Sequence, residues 1–150
     1  MGVIKSDKFA RASAKEGPVL IVDDDPYDAL LAESVLDELE PRYAGQILTC
    51  GEDLLAYLQG EGLYKNRALF PSPSMILLDL NMPGMSGFDV LAWLKLHPEF
   101  SDVRVVVLSG AEDMVGQVTK AYGQGSDAFL PKPVKLEDLR SALSHLKISI

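Results

Sequence analysis

Apolar residues along this chain keep two alternating rhythms. Short, nearly unbroken runs occur at Val19-Leu20-Ile21-Val22, at Met75-Ile76-Leu77-Leu78 and from Val103 to Leu108. Gln46 to Cys50 and Ala128 to Leu130 are shorter runs of the same kind. Rich in Val, Ile and Leu, such runs predict strands covered on both faces. Between them the apolar spacing becomes helical. The first helix carries a stripe of Leu30, Leu31, Val35, Leu36 and Leu39, and Asp53 to Gln59 places Leu54, Leu55 and Leu58 inward. Gly87 to about Leu96 forms a third helix. Met114 to Tyr122 forms a weak fourth, weakened by Gly116 and by β-branched residues. Lys135 to Lys147 closes the chain, with Leu136, Leu139, Leu143 and Leu146 facing inward.

Strand and helix alternate throughout, which predicts an α/β fold: a parallel sheet, doubly wound, of the flavodoxin-like (βα)5 kind. Its common strand order is 2-1-3-4-5. Local chemistry agrees with these boundaries. Asp25 is placed to cap the first helix, Pro26 takes its first position, Asp28 lies in its first turn, and Pro41 follows its end. Ser86 and Asp89 have the spacing of a capping box. Gly60 to Ser74 is a long connection containing Gly60, Gly62, Pro71 and Pro73, and loops of that length are often functional. The domain is expected over residues 18–147, after a disordered, mildly basic leader (1–17) and before a short tail (148–150).

With 150 residues, 47% hydrophobic and 24% charged, the chain has the profile of one globular domain. A net charge of −8 argues against a nucleic-acid face, which needs clustered basic residues. No apolar stretch approaches the ~18 residues of a membrane span. Cys50 is the only cysteine, and Met1 to Gly17 lacks an apolar core, so a cytoplasmic location is expected. Met1-Gly2-Val3-Ile4-Lys5-Ser6 matches the loose myristoylation pattern, but the motif is short and carries little weight.

The chemistry lies at the strand ends. Asp23 and Asp24 follow the first strand, Asp79 the third, Ser109 the fourth and Lys132 the fifth. Parallel strands bring these residues to one edge, and ligands of such sheets bind where the strand order reverses, between strands one and three. Clustered carboxylates raise one another's pKa and call for a divalent cation. Mg2+ fits best, since it takes one or two carboxylates together with waters and phosphate oxygens. Asp25 already supplies the helix cap, so Asp23 and Asp24 need another reason to be acidic. Asp79 is the candidate nucleophile, able to form an acyl phosphate. Lys132, held between Pro131 and Pro133, and the Ser109 hydroxyl would balance the charge on the phosphoryl oxygens.

Taken together, these residues resemble the receiver domain of two-component response regulators. Asp79-Leu80-Asn81-Met82-Pro83-Gly84-Met85-Ser86-Gly87 fits the family pattern D-x-x-M-P-x-x-x-G, and Asp23-Asp24, Ser109 and Lys132-Pro133 match in register. The resemblance implies that Asp79 accepts a phosphoryl group from a sensor histidine kinase or phosphotransfer protein. It implies Mg2+ bound by Asp24, Asp79 and the Asn81 backbone carbonyl, with Asp23 acting through water. Ser109 and Phe129 would be the switch pair, and the Lys132–Pro133 peptide bond would be cis. Phe129 stands where many relatives have tyrosine, so its contribution would be steric, and an inward core role competes with it. Asn81 and Ala111 occupy positions that tune hydrolysis of the acyl phosphate, for which an intermediate lifetime is expected.

The chain ends after its fifth helix, so a stand-alone receiver acting on a downstream protein, by docking or by phosphorelay, is expected. The stretch from Gly60 to Arg67 resembles regulators that serve phytochrome-type kinases. Homodimerisation through helix four, strand five and helix five is a habit of the family. Such a domain would catalyse only its own phosphorylation and dephosphorylation. Leu63, Tyr64 and Phe70 would form either a partner surface or the loop's own small core. One competing reading is a haloacid-dehalogenase-like phosphatase, with Asp23 as nucleophile and Asp25 as acid–base. Another is a receiver-shaped interaction module that is never phosphorylated.

Overall fold

The structure, a computed structural model, describes residues 17–39, 45–110 and 114–146. In chain order the elements are β1 (Val19–Val22), α1 (Pro26–Leu39), β2 (Gly45–Leu48), α2 (Gly51–Gln59), β3 (Met75–Asp79), α3 (Gly87–Lys95), β4 (Arg104–Ser109), α4 (Met114–Gly123), β5 (Ala128–Pro131) and α5 (Leu136–His145). Short 3-10 turns occupy Gly62–Tyr64 and Pro98–Phe100. All strand pairings are parallel and the order is β2-β1-β3-β4-β5, as the alternation predicts.

Side-chain alternation along the strands sorts the core into two layers. Val19 and Ile21, Met75 and Leu77, Val106 and Leu108, and Ala128 and Leu130 face α1 and α5. Leu20 and Val22, Ile76 and Leu78, and Val105 and Val107 face α2, α3 and α4. Because the period is two, the parity of a strand-end residue also decides which helices it meets. Asp23 and Asp79 continue the first set, toward α1. Ser109 continues the second, toward α4.

Cap chemistry sets the helix starts. The Asp25 carboxylate accepts from the Tyr27 and Asp28 N–H groups at 2.9 and 3.2 Å, so it caps α1 as expected. Ser86 and Asp89 exchange both bonds of a capping box at α3. Cys50, expected to end the second strand, leaves it instead: its Sγ accepts from the Asp53 N–H at 3.4 Å and α2 begins at Gly51. The α1 stripe also differs from expectation. Ala29 and Ala32 are buried while Leu30 is 58% exposed, because α1 meets the sheet along Ala29, Ala32, Val35 and Leu36 and Leu30 lies off that stripe. Pro41, Ala111, Lys147, residues 1–16 of the leader and the tail lie outside the described residues.

The connection 60–74 folds back on α2. Tyr57, Tyr64 and Phe70 pack ring against ring with centroids 4.9 to 5.9 Å apart. The Tyr57 hydroxyl donates to the Pro71 carbonyl at 2.9 Å, and Arg67 Nη1 donates to the Tyr57 and Tyr64 carbonyls at 2.7 and 3.2 Å. Tyr64 and Phe70 therefore serve the loop's own core, while Leu63 points to solvent.

Candidate functional site

β1 and β3 are neighbours, with Val22 opposite Leu78, so Asp23 and Asp79 leave the sheet side by side. Asp24, the next residue, turns to the surface. Asp23, Asp24 and Asp79 each offer a carboxylate oxygen, and these atoms lie within 4.8 Å of one another. Asp23 and Asp79 are buried at 3% and 4% exposure, so water can screen their repulsion only weakly.

Lys132 answers part of that charge. Its ammonium lies 2.8 Å from Asp23 Oδ2, 3.1 Å from Asp28 Oδ2 and 3.2 Å from Asp79 Oδ1, one acceptor for each N–H. The Lys132–Pro133 peptide bond is cis, as the resemblance implies. Burial pushes the Asp79 carboxyl up to about 6, the Asp23 charge pushes the same way, and Lys132 and the Asn81 N–H pull it back. For Lys132, burial works against the ammonium. Hydrogen bonds to Asp23 and Asp28 and the charges of Asp79 and Asp23 outweigh it and raise the pKa.

Asn81 and Ser109 close the other side. The Asn81 N–H donates to Asp79 Oδ1 at 3.2 Å, and its side-chain Nδ2 donates to Ser109 Oγ at 3.3 Å. Ser109 is fully buried, and its hydroxyl donates to Gln117 Oε1 on α4 at 2.9 Å. Phe129 is half-buried and packs against the α2–α4 layer. The structure thus brings Asp23, Asp24, Asp79, Asn81, Ser109 and Lys132 to one edge. Phe129 lies one strand further out.

Sequence reasoning missed two participants. Asp28 was expected only to complement the helix dipole, and it binds Lys132. Gln117 lies in the weak helix and holds Ser109. Neither has a signal in a single sequence beyond being polar near a helix start that opens onto the strand ends. Gly87 gives the signature a physical reason. A Cβ there would stand 2.5 Å from the Asp79 carbonyl oxygen and 2.7 Å from Leu80 Cα, so α3 can start against the end of β3 only with glycine.

A doubly wound sheet in the order β2-β1-β3-β4-β5, with clustered acids and a lysine at its carboxyl edge, is a flavodoxin-like fold of the receiver kind. The model of the response regulator receiver domain matches residues 19–144, and the chain belongs to this family. It is 35% identical over 121 residues to the response regulator Rcp1 of Synechocystis sp., covering 81% of this chain and 80% of that one. It is 30% identical over 146 residues to the two-component response regulator ARR17 of Arabidopsis thaliana, covering 94% and 92%. Among solved structures, the bacteriophytochrome response regulator RtBRR superposes with a TM-score of 0.78 at 29% identity, covering 89% of this chain and 79% of that one. The Mn2+-bound form of Rcp1 superposes at 0.69 and 32% identity, covering 86% and 90%. The chain is therefore related to phytochrome response regulators, and response regulators partner with histidine kinases.

The donor set suits a metal. Carboxylate oxygens are hard ligands, and one ammonium cannot balance Asp23, Asp24, Asp28 and Asp79. Among the described residues no helix is long and apolar enough to cross a membrane.

Proposed function

We propose that this domain accepts a phosphoryl group on Asp79 from a phosphohistidine of a sensor histidine kinase or phosphotransfer protein, in a Mg2+-dependent reaction. The observation that carries the reading is the juxtaposition of three carboxylates within 4.8 Å with a lysine bridging Asp23 and Asp79. An Asp79 oxygen attacks phosphorus, the P–N bond breaks, and its electron pair returns to the imidazole nitrogen. Asp24, Asp79 and the Asn81 carbonyl would hold the metal, with Asp23 acting through water. Bound there, Mg2+ supplies positive charge against the phosphoryl oxygens.

This chain's own residues do the rest. Lys132 keeps its bonds to Asp23 and Asp28 and passes its third N–H from Asp79 Oδ1 to a phosphoryl oxygen. Ser109 supplies a hydroxyl from the opposite side, and Phe129 follows its movement. The added charge, about −1.5 to −2, biases the surface of α4, β5 and α5 toward a downstream protein or a second copy. Kinship with bacteriophytochrome response regulators supports a phytochrome-type kinase as donor and a cytoplasmic setting. Catalysis extends only to the domain's own phosphorylation and dephosphorylation.

Incubation with phosphorylated kinase and Mg2+, followed by peptide mapping, tests the proposal. Label is expected on the peptide containing Asp79, none on Asp79→Asn, and almost none when the metal is chelated. Label on the Asp23 peptide would reject it.

A further inference from the structure

Gln117 belongs neither to the acidic cluster nor to the apolar core, yet its side chain reaches the phosphoacceptor edge. A serine hydroxyl has one proton and two lone pairs. Here a lone pair accepts from Asn81 Nδ2 at 3.3 Å, and the hydroxyl donates to Gln117 Oε1 at 2.9 Å. Asn81 also donates its backbone N–H to Asp79, so a group added to Asp79 arrives beside Ser109. We infer that Gln117 is a positioning residue that holds the Ser109 hydroxyl on α4 in the resting protein, and that phosphorylation of Asp79 breaks this hold. The inference rests on the function proposed above.

The competition follows from charge. A phosphoryl oxygen is anionic, and a hydroxyl bond to it is roughly twice as strong as one to a neutral amide. Ser109 is fully buried, so little water is at hand at its hydroxyl to stand in for either partner. When the hydroxyl turns to the phosphoryl group, Gln117 Oε1 loses its donor. That loss falls on a helix with little of its own to hold it. α4 contains Gly116, Val115, Val118 and Thr119, all poor helix formers. Its other anchors include Ala121, packed in the core, and Lys120, whose ammonium sits 4.3 Å from the Phe88 ring centroid. Coupling of this kind is reciprocal: a bond that phosphorylation must break also opposes phosphorylation.

A double-mutant cycle on the full chain tests this, with beryllium fluoride and Mg2+ as the probe. Gln117→Leu removes the acceptor at similar size and is expected to bind the probe 3- to 10-fold more tightly, the equivalent of about 1 kcal/mol. In a Ser109→Ala background the same change is expected to alter affinity less than 2-fold. Gln117→Glu, which keeps an acceptor and disturbs packing less, is expected to bind several-fold more weakly than wild type, again only when Ser109 is present. A Gln117→Leu gain that persists without the hydroxyl, or no gain at all, overturns the proposal. A second arm needs no phosphoryl mimic. Amide hydrogen exchange in α4 of the unphosphorylated protein is expected to speed up by similar factors in Gln117→Leu and Ser109→Ala, with no further rise in the double variant. Additive increases, or none, would also overturn it. If wild type fails to bind the probe at Asp79, the proposed function fails, and the exchange arm still decides whether Gln117 holds Ser109.

Discussion

The Lys132 ammonium and the Asp28 carboxylate meet at 3.1 Å, although 104 positions separate them in the sequence. Asp28 thereby gives the lysine an anchor on α1 that does not depend on Asp79. Removing it leaves Lys132 with Asp23 and Asp79, one N–H short of a partner. The pair is partly exposed, at 16% and 31%, so Asp28→Ala is expected to cost only about 1 kcal/mol in urea unfolding. Asp28→Asn, which retains an acceptor, should cost less. Phosphorylation by a small acyl phosphate should slow in the order wild type, Asn, Ala. With Lys132→Met in place the differences should vanish, and their persistence would mean that Asp28 acts on something else.

Asp79 makes the metal-free protein sensitive to pH in a direction opposite to most carboxylates. Its folded pKa is raised to about 6 from 3.8, so the folded chain holds this proton more tightly than the unfolded one. The resulting stabilisation is complete below pH 3.8 and is lost as pH rises through about 6. The shift corresponds to at most about 3 kcal/mol. In the presence of a chelator, Asp79→Asn is therefore expected to raise the urea midpoint at pH 7.5 and to have little effect near pH 4. Equal effects at both pH values would place the cause outside ionisation.

Much of this site is legible from strand grammar alone. An unbroken apolar run ending in Asp or Ser, repeated in a parallel sheet, has to bring those ends together, and Asp23, Asp79, Ser109 and Lys132 meet as expected. Three features escape such reasoning because each depends on distance between elements. Leu30 reads as core by period, yet α1 meets the sheet through Ala29, Ala32, Val35 and Leu36, and Leu30 is turned out. Tyr57 is fully buried because the loop 60–74 covers it, and no spacing announces a covering loop. Asp28 and Gln117 are single polar residues on amphipathic helices, and only the parity of Lys132 and Ser109 at their strand ends decides which one each helix residue meets.

Gly87 should tolerate no side chain. An added Cβ meets backbone, the Asp79 carbonyl oxygen at 2.5 Å and Leu80 Cα at 2.7 Å, and backbone cannot rotate aside. The Gly87 N–H also donates to the Leu80 carbonyl at 3.0 Å, tying α3 to the end of β3. Gly87→Ala is expected to destabilise by about 2–4 kcal/mol and to displace Asp79, lowering phosphorylation in the fraction that stays folded. Gly123→Ala, at the end of α4 with nothing within 4 Å of the new atom, is the control and should be neutral or slightly stabilising. Similar losses at both glycines would point to helix ends in general and away from the close approach at β3.

Metal binding should appear as stability before any phosphoryl group is present. The acidic cluster is a standing cost in the folded chain, since Asp23 and Asp79 are buried and one lysine serves them both. A cation that binds only the folded protein stabilises it by mass action, about 2.7 kcal/mol at a concentration 100 times its Kd. Mg2+ added at constant ionic strength is therefore expected to raise the melting temperature of the wild type in a saturable way. Asp24→Asn alters an exposed side chain, so without metal it should be near neutral. The Mg2+-induced rise should nevertheless be largely lost in Asp24→Asn, and also in Asp79→Asn. Because Asp79→Asn relieves buried charge as well, it should start from a higher melting temperature at neutral pH and gain less. An undiminished Mg2+ response in both variants would move the cation away from the strand ends, and with it the reason for three carboxylates to stand together there.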